Sequence, residues 1–403
     1  MPSRQVDFPV FDVDNHMYET PDALTKFLPK GYEDVIQYVQ VNGRTKIAVK
    51  GQISEYIPNP TFNKVAPPGA MEIEFKLKNP SSKTSAEDLK LQPPPRYIES
   101  PPAFFEPAPR LALMDELGID RAMMWPTLAS LIEERMADDP RTTHVVIHAL
   151  NRWMHETWSF NYEGRIFATP VVTLPIVDQA IAELEWVLER GARAILVRPA
   201  PVPDLDGHRR SFALEEFDPF WKAVEEADVM VGMHASDDGS QRYLNEWEGL
   251  RGDEFKPFSR KRSAFLSILY AEHRGIHDVV ASIIGHELVS RFPKLKIVPV
   301  ENGSAWVRPL VSTLARLYER TPQNFAEDPI AALKRCIYIH PFHEEDPLGL
   351  VDIVGVDNVV FGSDYPHPEG MYDPISFVDE LAGLDPDDRA KIMGGNLSRL
   401  MKV

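Results

Sequence analysis

Five polar residues follow short apolar runs in this chain, and their types are those that bind divalent cations. Asp14 and His16 stand two apart in FDVDNHMYE, so on extended backbone a carboxylate and an imidazole project to the same side. His234 follows VMVGM, Glu301 follows KIVPV, and Asp364 closes VVFGS. With Cys336 as the single cysteine, nitrogen and oxygen must hold any ion, which points to zinc, manganese or iron. Taken one at a time, each residue also has an ordinary role. A strand-end histidine is commonly a satisfied polar group, and an aspartate before Tyr-Pro is commonly turn chemistry. Only delivery of all five to one place makes the metal reading.

Further groups lie near these. His340 and His343 in IYIHPFHEED read either as aromatic packing beside Phe342 or as extra ligands or substrate contacts, and His340 with Glu301 leaves a second ion open. His367, three residues after Asp364, is expected beside the ligands or against substrate. Arg198, ahead of Pro199, is a candidate for stabilising a developing oxyanion. The i, i+4 pairs His144/His148 and His273/His277 are expected to be structural, and His286 is placed on an outer helix.

The elements that must position these groups follow from periodicity. Eight short apolar runs read as strands: Val10–Val13, Ala122–Trp125, Phe167–Thr173, Ala194–Val197, Val229–Met233, Lys296–Val300, Cys336–Ile339 and Asn358–Phe361. Amphipathic segments such as Val177–Glu189, Phe217–Ala227 and Asp385–Met401 lie between or after them. Eight alternations predict an α/β fold, a (β/α)8 TIM barrel, whose strand C-termini carry the site. The chain is expected to be one barrel domain, 1–403, with 26–109 inserted after the first strand as a lid, an oligomer arm or a surface decoration. That stretch contains a predicted hairpin, Val35–Val41 to Lys46–Val49 through Asn42-Gly43, and several proline clusters. The 36 prolines in 403 residues, about 9% against a usual ~5%, concentrate there and in strand-end turns.

Composition narrows the partners. The 43 basic against 61 acidic residues give a net charge of −18, which disfavours nucleic acid. No apolar run is long enough for a membrane span and no signal-like stretch opens the chain, so a cytoplasmic protein acting on a small molecule is expected.

FDVDNHMYE, RFPKLKIVPVENGSAWV (Arg291–Val307) and VVFGSDYPHPEG (Val359–Gly370) resemble the amidohydrolase superfamily. Within it they resemble the amidohydrolase-related branch that includes aminocarboxymuconate-semialdehyde decarboxylase and aromatic acid decarboxylases. SDYPH is the most specific piece, and the likeness continues to RAKIMGGNLSRLM. The resemblance implies a metal-dependent barrel in which the first-strand ligand pair falls on Asp14 and His16, the fifth-strand histidine on His234 and the eighth-strand aspartate on Asp364. It also implies an oligomer, of identical subunits or with a paralogue. The chain departs from the family pattern in three places. Asp14 stands where His-x-His or Glu-x-His is usual, Glu301 stands where the decarboxylases usually carry histidine, and Arg198-Pro199 replaces the bridging lysine of the dinuclear hydrolases.

The expected function is a metal-dependent hydrolase or non-oxidative decarboxylase acting on a small carboxylate-bearing or carbonyl compound. One divalent ion is expected, zinc first, with manganese or iron as alternatives and a second metal left open. Asp364, Glu301 and Arg198 would be catalytic, and Asp14, His16, His234, Asp364 and Glu301 would hold the ion. An iron or Mn/Fe oxygenase and a catalytically degenerate partner subunit are the competing expectations.

Overall fold

The computed structural model describes residues 6–54, 57–79, 92–249, 264–265, 268 and 273–403. Strand β1 (Phe11–Met17) is buried along its whole length. An antiparallel meander follows, of β2 (Ile36–Val41), β3 (Arg44–Val49) and β4 (Gln52–Ser54). Asn42 and Gly43 turn between β2 and β3 with φ of 50° and 73°, the mirror-image turn whose twist suits a hairpin. Next come β5 (Lys64–Val65), the helix Ala70–Lys78 and β6 (Ile98–Glu99), which pairs with β5. Within 26–109, residues 55–56 and 80–91 lie outside the described part.

Beyond this stretch lie β7 (Arg121–Pro126), β8 (Ile166–Ala168) and β9 (Ala194–Leu196), then the small antiparallel pair β10 (Val202–Pro203) and β11 (Arg209–Arg210), then β12 (Met230–His234) and β13 (Lys296–Val300). The regular ladders are small, with β1, β7 and β8 in one parallel sheet and β9, β12 and β13 in another. Isolated parallel bridges join them: Val171 to Leu196, Ile297 to Ile337, Ile339 to Val359, and Asn15 to Tyr365. Taken in order, eight parallel segments therefore return to β1, the closed circuit of a barrel.

The observed boundaries differ from the expected ones for physical reasons. The first strand runs to Met17 because Asp12, Asp14, Asn15 and His16 are all buried inside the fold, so a polar residue does not end it. The third expected strand stops at Ala168, ahead of Pro170. The C-terminal segment is a helix Pro386–Ala390, a π-turn Lys391–Gly395 and a helix Asn396–Met401. A side chain at Gly394 would stand 2.5 Å from the carbonyl of Pro9, so glycine there permits backbone against backbone.

Trp125, Trp153, Trp158, Trp221 and Trp306 are buried in a core that also takes in Ile36, Ile47, Val49 and Phe62 from the stretch after β1. Trp125 donates its indole N–H to the carbonyl of Val13 at 2.7 Å and packs 5.4 Å from the His234 ring. Gly232 makes room for it, since a Cβ at that position would lie 2.1 Å from the indole. Gly232→Ala is therefore expected to cost about 1–3 kcal/mol by overpacking and to lower the melting temperature, read by thermal denaturation. An unchanged Tm would contradict the tight seat of Trp125. Among the described residues, no helix is long and apolar enough to cross a membrane.

Candidate metal centre

The barrel strands end in the polar residues that the sequence offers there. The imidazole of His16 stands 3.3 Å, through Nδ1, from the hydroxyl of Thr127, which itself donates to the carbonyl of Met17 at 3.1 Å. That hydroxyl proton is committed, so His16 Nδ1 carries the hydrogen and Nε2 is bare. His234 donates Nδ1–H to the carbonyl of Ala235 at 3.0 Å, so Nε2 is the nitrogen it turns to the site, a ligand atom once its proton is displaced. The two Nε2 atoms face each other at 3.1 Å. Asp14 Oδ1 lies 3.3 Å from one and 3.5 Å from the other. Asp364 Oδ1 stands 3.5 Å from His16 Nε2, and Glu301 Oε2 stands 3.4 Å from His234 Nε2.

Ring nitrogens and several carboxylate oxygens gathered this closely need positive charge among them, a proton on His234 or a metal ion in its place. Buried Asp14 Oδ2 and Asp364 Oδ1 have no hydrogen-bond donor, so the donor set fits a divalent ion. Asp14, His16 and His234 each offer a ligand atom within 4.8 Å of the other two.

The electrostatics agree. Without a cation, burial, with the Glu301 and Asp14 charges adding to it, pushes the Asp364 carboxyl well above the carboxylate range. Burial raises Glu301 to about 8, with Asp14 adding and His234 opposing. Burial works against the charged forms of Asp14 and His234, but the His16 and His234 imidazoles beside it hold Asp14 low, and the hydrogen bond to Asp14, with Glu301 assisting, raises His234 to about 9. The proton on His234 occupies the place of positive charge, so metal uptake should release it.

Glu301 and Asp364 both adopt left-handed backbone, with φ of 54° and 57°, a strain that surrounding structure must hold. His340 contributes for Glu301. Its Nδ1 accepts the Glu301 N–H at 3.2 Å and its Nε2–H donates to the carbonyl of Gly362 at 3.2 Å. Both ring nitrogens are thus engaged with backbone. The His367 ring lies 4.2 Å from that of His16, its Nδ1 is 3.4 Å from the Tyr18 hydroxyl, and it shares a ligand group with His16 and Asp364. His343 stands apart, 3.3 Å from Glu344. Arg198 is also turned elsewhere: its guanidinium pairs with Glu134 and donates to the carbonyl of Asp237 at 2.8 Å.

Several contributors escaped the sequence reading. Glu369 groups with Glu301 and Asp364 within 4.8 Å, yet nothing in its sequence context marks it. Buried Asp12 accepts the N–H groups of Asp14 at 2.9 Å and Ser363 at 3.0 Å, and so ties the first strand to the eighth. Buried Arg110 donates to the carbonyls of Ala103 at 2.7 Å and His16 at 2.6 Å, and to Asn15 Oδ1 at 3.1 Å. Its helix, Pro107–Leu117, has no pattern that flags the residue. Among the remaining histidines, His144 accepts the Ile176 N–H and His148 pairs with Glu183, both between helix and neighbour.

Glu19 is buried near this network and accepts the Leu128 N–H at 2.6 Å. Burial lifts its carboxyl from 4.5 to about 8. The folded state holds that proton while the unfolded chain has lost it, so stability falls as pH rises from about 4.5 to about 8 and then levels. Glu19→Gln keeps the acceptor, and urea unfolding across that range should show a flatter pH dependence. A slope equal to wild type would rule out Glu19 as the source.

A family model described as amidohydrolase matches residues 88–401. The fold is similar to an amidohydrolase from Mycobacterium avium subsp. paratuberculosis K-10, with 35% identity over 99% of each chain and a TM-score of 0.88. It is also similar to a dihydroxybenzoic acid decarboxylase from Polaromonas sp. JS666 with bound manganese and the inhibitor 2-nitroresorcinol, at 17% identity over 74% of this chain and 87% of that one, TM-score 0.56. A 5-carboxyvanillate decarboxylase from Novosphingobium aromaticivorans DSM 12444, complexed with manganese and 4-hydroxy-3-methoxy-5-nitrobenzoic acid, matches at 15% identity over 98% and 97%, TM-score 0.54. At those identities the two decarboxylases bear on the fold alone.

Proposed function

The chain belongs to the amidohydrolase family, and on that premise we propose that it is a metal-dependent enzyme whose ion is held by Asp14, His16 and His234, with Asp364 and Glu301 at its edge. We read 1–403 as one barrel domain with 26–109 inserted. The observation that carries the proposal is the 3.1 Å approach of the His16 and His234 Nε2 atoms beside the Asp14 carboxylate. The preferred reaction is non-oxidative decarboxylation of a small carboxylate-bearing compound, with hydrolysis of a carbonyl compound at the same centre as its near variant.

A divalent ion bound there would supply a Lewis acid for the substrate carboxylate and an adjacent oxygen. Asp364, whose proton is favoured by burial and its acidic neighbours and opposed by a bound cation, would deliver that proton to carbon. The bond to the carboxylate then breaks, its electron pair returns to the carbon skeleton, and carbon dioxide leaves. In hydrolysis the same carboxylate would accept a proton from water. Arg198, neutralised by Glu134, is better suited to holding its strand end than to meeting an oxyanion. The intact gathering of ligand atoms favours an active enzyme over a degenerate partner subunit.

A second reading rests on the overlapping donor groups: Glu301, Asp364 and Glu369 form a carboxylate set next to the histidine-rich one. Two ions, iron or an Mn/Fe pair, would suit an oxygenase. The test loads the protein with zinc, manganese or iron and offers aromatic and unsaturated carboxylates, following carbon dioxide, hydrolysis products and oxygen uptake. Carbon dioxide release without oxygen uptake supports the first reading. Oxygen uptake with about two ions per chain would replace it with the second.

A further inference from the structure

The stretch after β1 is in contact with the loop that follows Asp364, and the contacts have a particular form. The N–H of Gly69 donates to the carbonyl of His367 at 3.1 Å, and that of Met71 donates to the carbonyl of Pro368 at 2.8 Å. In return the N–H of Tyr372 donates to Glu72 at 2.7 Å, whose second oxygen holds Lys76. Ile73, Leu77 and Tyr372 form a small apolar cluster of their own beneath this seam. Phe62 stacks on Tyr18 with ring centroids 4.4 Å apart, and the Tyr18 hydroxyl in turn reaches His367. Gly69 has a φ of 66°, and a Cβ there would stand 2.4 Å from the backbone of Tyr372, so no other residue permits so close an approach.

The loop itself carries His367 and Glu369, each of which shares a ligand group with Asp364. Its own backbone ties are His367 N–H to the carbonyl of Asp364 at 2.9 Å, Gly370 N–H to that of His367 at 3.2 Å, and Met371 N–H to that of Ser363 at 2.8 Å. A surface decoration would not need to engage the backbone on both sides of a site-bearing turn.

We propose that residues 59–78 are a brace that fixes the loop after the eighth strand over the metal centre, with Gly69 and Glu72 as positioning residues for His367 and Glu369. The functional consequence rests on the reading of that centre as a metal-dependent site. The brace itself does not. It sets how closely the His367 and Glu369 side chains approach a bound ion and its substrate, and how much water reaches them.

The test compares Gly69→Ala and Glu72→Ala with wild type by hydrogen exchange and mass spectrometry. Peptides covering 363–372 should exchange about tenfold faster in both variants, while those covering 230–234 and 296–300 keep their wild-type rates. Equal exchange in 363–372 would overturn the brace. Should Gly69→Ala fail to fold, Glu72→Ala, which alters a helix surface, decides alone. In protein loaded with Mn2+, water-proton relaxation by the bound ion should also rise in the variants, and an unchanged value would overturn the positioning role. Failure of wild type to bind Mn2+ would instead count against the proposed function, with the exchange comparison still deciding the brace.

Discussion

Asp364→Asn is expected to reduce turnover by about 10²–10⁴-fold while leaving the fold intact. Asparagine keeps the shape but has no proton to give or take, and the left-handed backbone at this position suits asparagine as well as aspartate. Metal-free protein should lose no stability. The substitution removes a carboxyl that burial, Glu301 and Asp14 force to keep its proton. Circular dichroism and thermal melting check the fold, and steady-state kinetics on any substrate turned over check the chemistry. Retained turnover would refute the role of Asp364 as the proton-carrying group.

The second large effect lies outside the ligand set. Arg110→Ala would strip donors from three buried acceptors, the carbonyls of Ala103 and His16 and the side-chain oxygen of Asn15. Each buried acceptor left alone costs about 1–3 kcal/mol, so a total of at least about 3 kcal/mol is expected. Arg110→Lys should recover little, because a compact ammonium cannot span three acceptors as the planar guanidinium does. Since one of those acceptors belongs to His16, metal affinity should weaken along with stability. Denaturant unfolding of both variants measures this. A loss under about 1 kcal/mol would show that water can replace the guanidinium there.

These two residues illustrate what was legible. Asp14, His16, His234, Glu301 and Asp364 could be found because each follows an apolar run, and the barrel rule places strand C-termini on one face. The first six strands were legible from apolar runs and the hairpin from Asn42-Gly43, whereas Cys336–Ile339 and Asn358–Phe361, expected as strands, form only isolated bridges, with Cys336 ending a helix. Arg110 was not legible, because its role depends on a backbone carbonyl 94 positions away. The part of His340 was likewise hidden. Its residue type suggested a ligand, but ring tautomers are decided by which backbone groups stand nearby, here the Glu301 N–H and the Gly362 carbonyl. Arg198 looked catalytic by strand position alone, and only the folded chain reveals Glu134 opposite it. Glu369 and the seam between Gly69 and His367 arise from loops, where periodicity carries no signal.

The central claim is that the Nε2 atoms of His16 and His234 and the carboxylate of Asp14 form a cation site. Titrating metal-free protein with Mn2+ and following the free-ion signal by electron paramagnetic resonance tests it most directly. Wild type should suppress the signal until at least one equivalent is bound, and His16→Ala and His234→Ala should each weaken binding by about tenfold or more. A free-ion signal that rises in wild type from the first addition, as it does in buffer, would contradict the account.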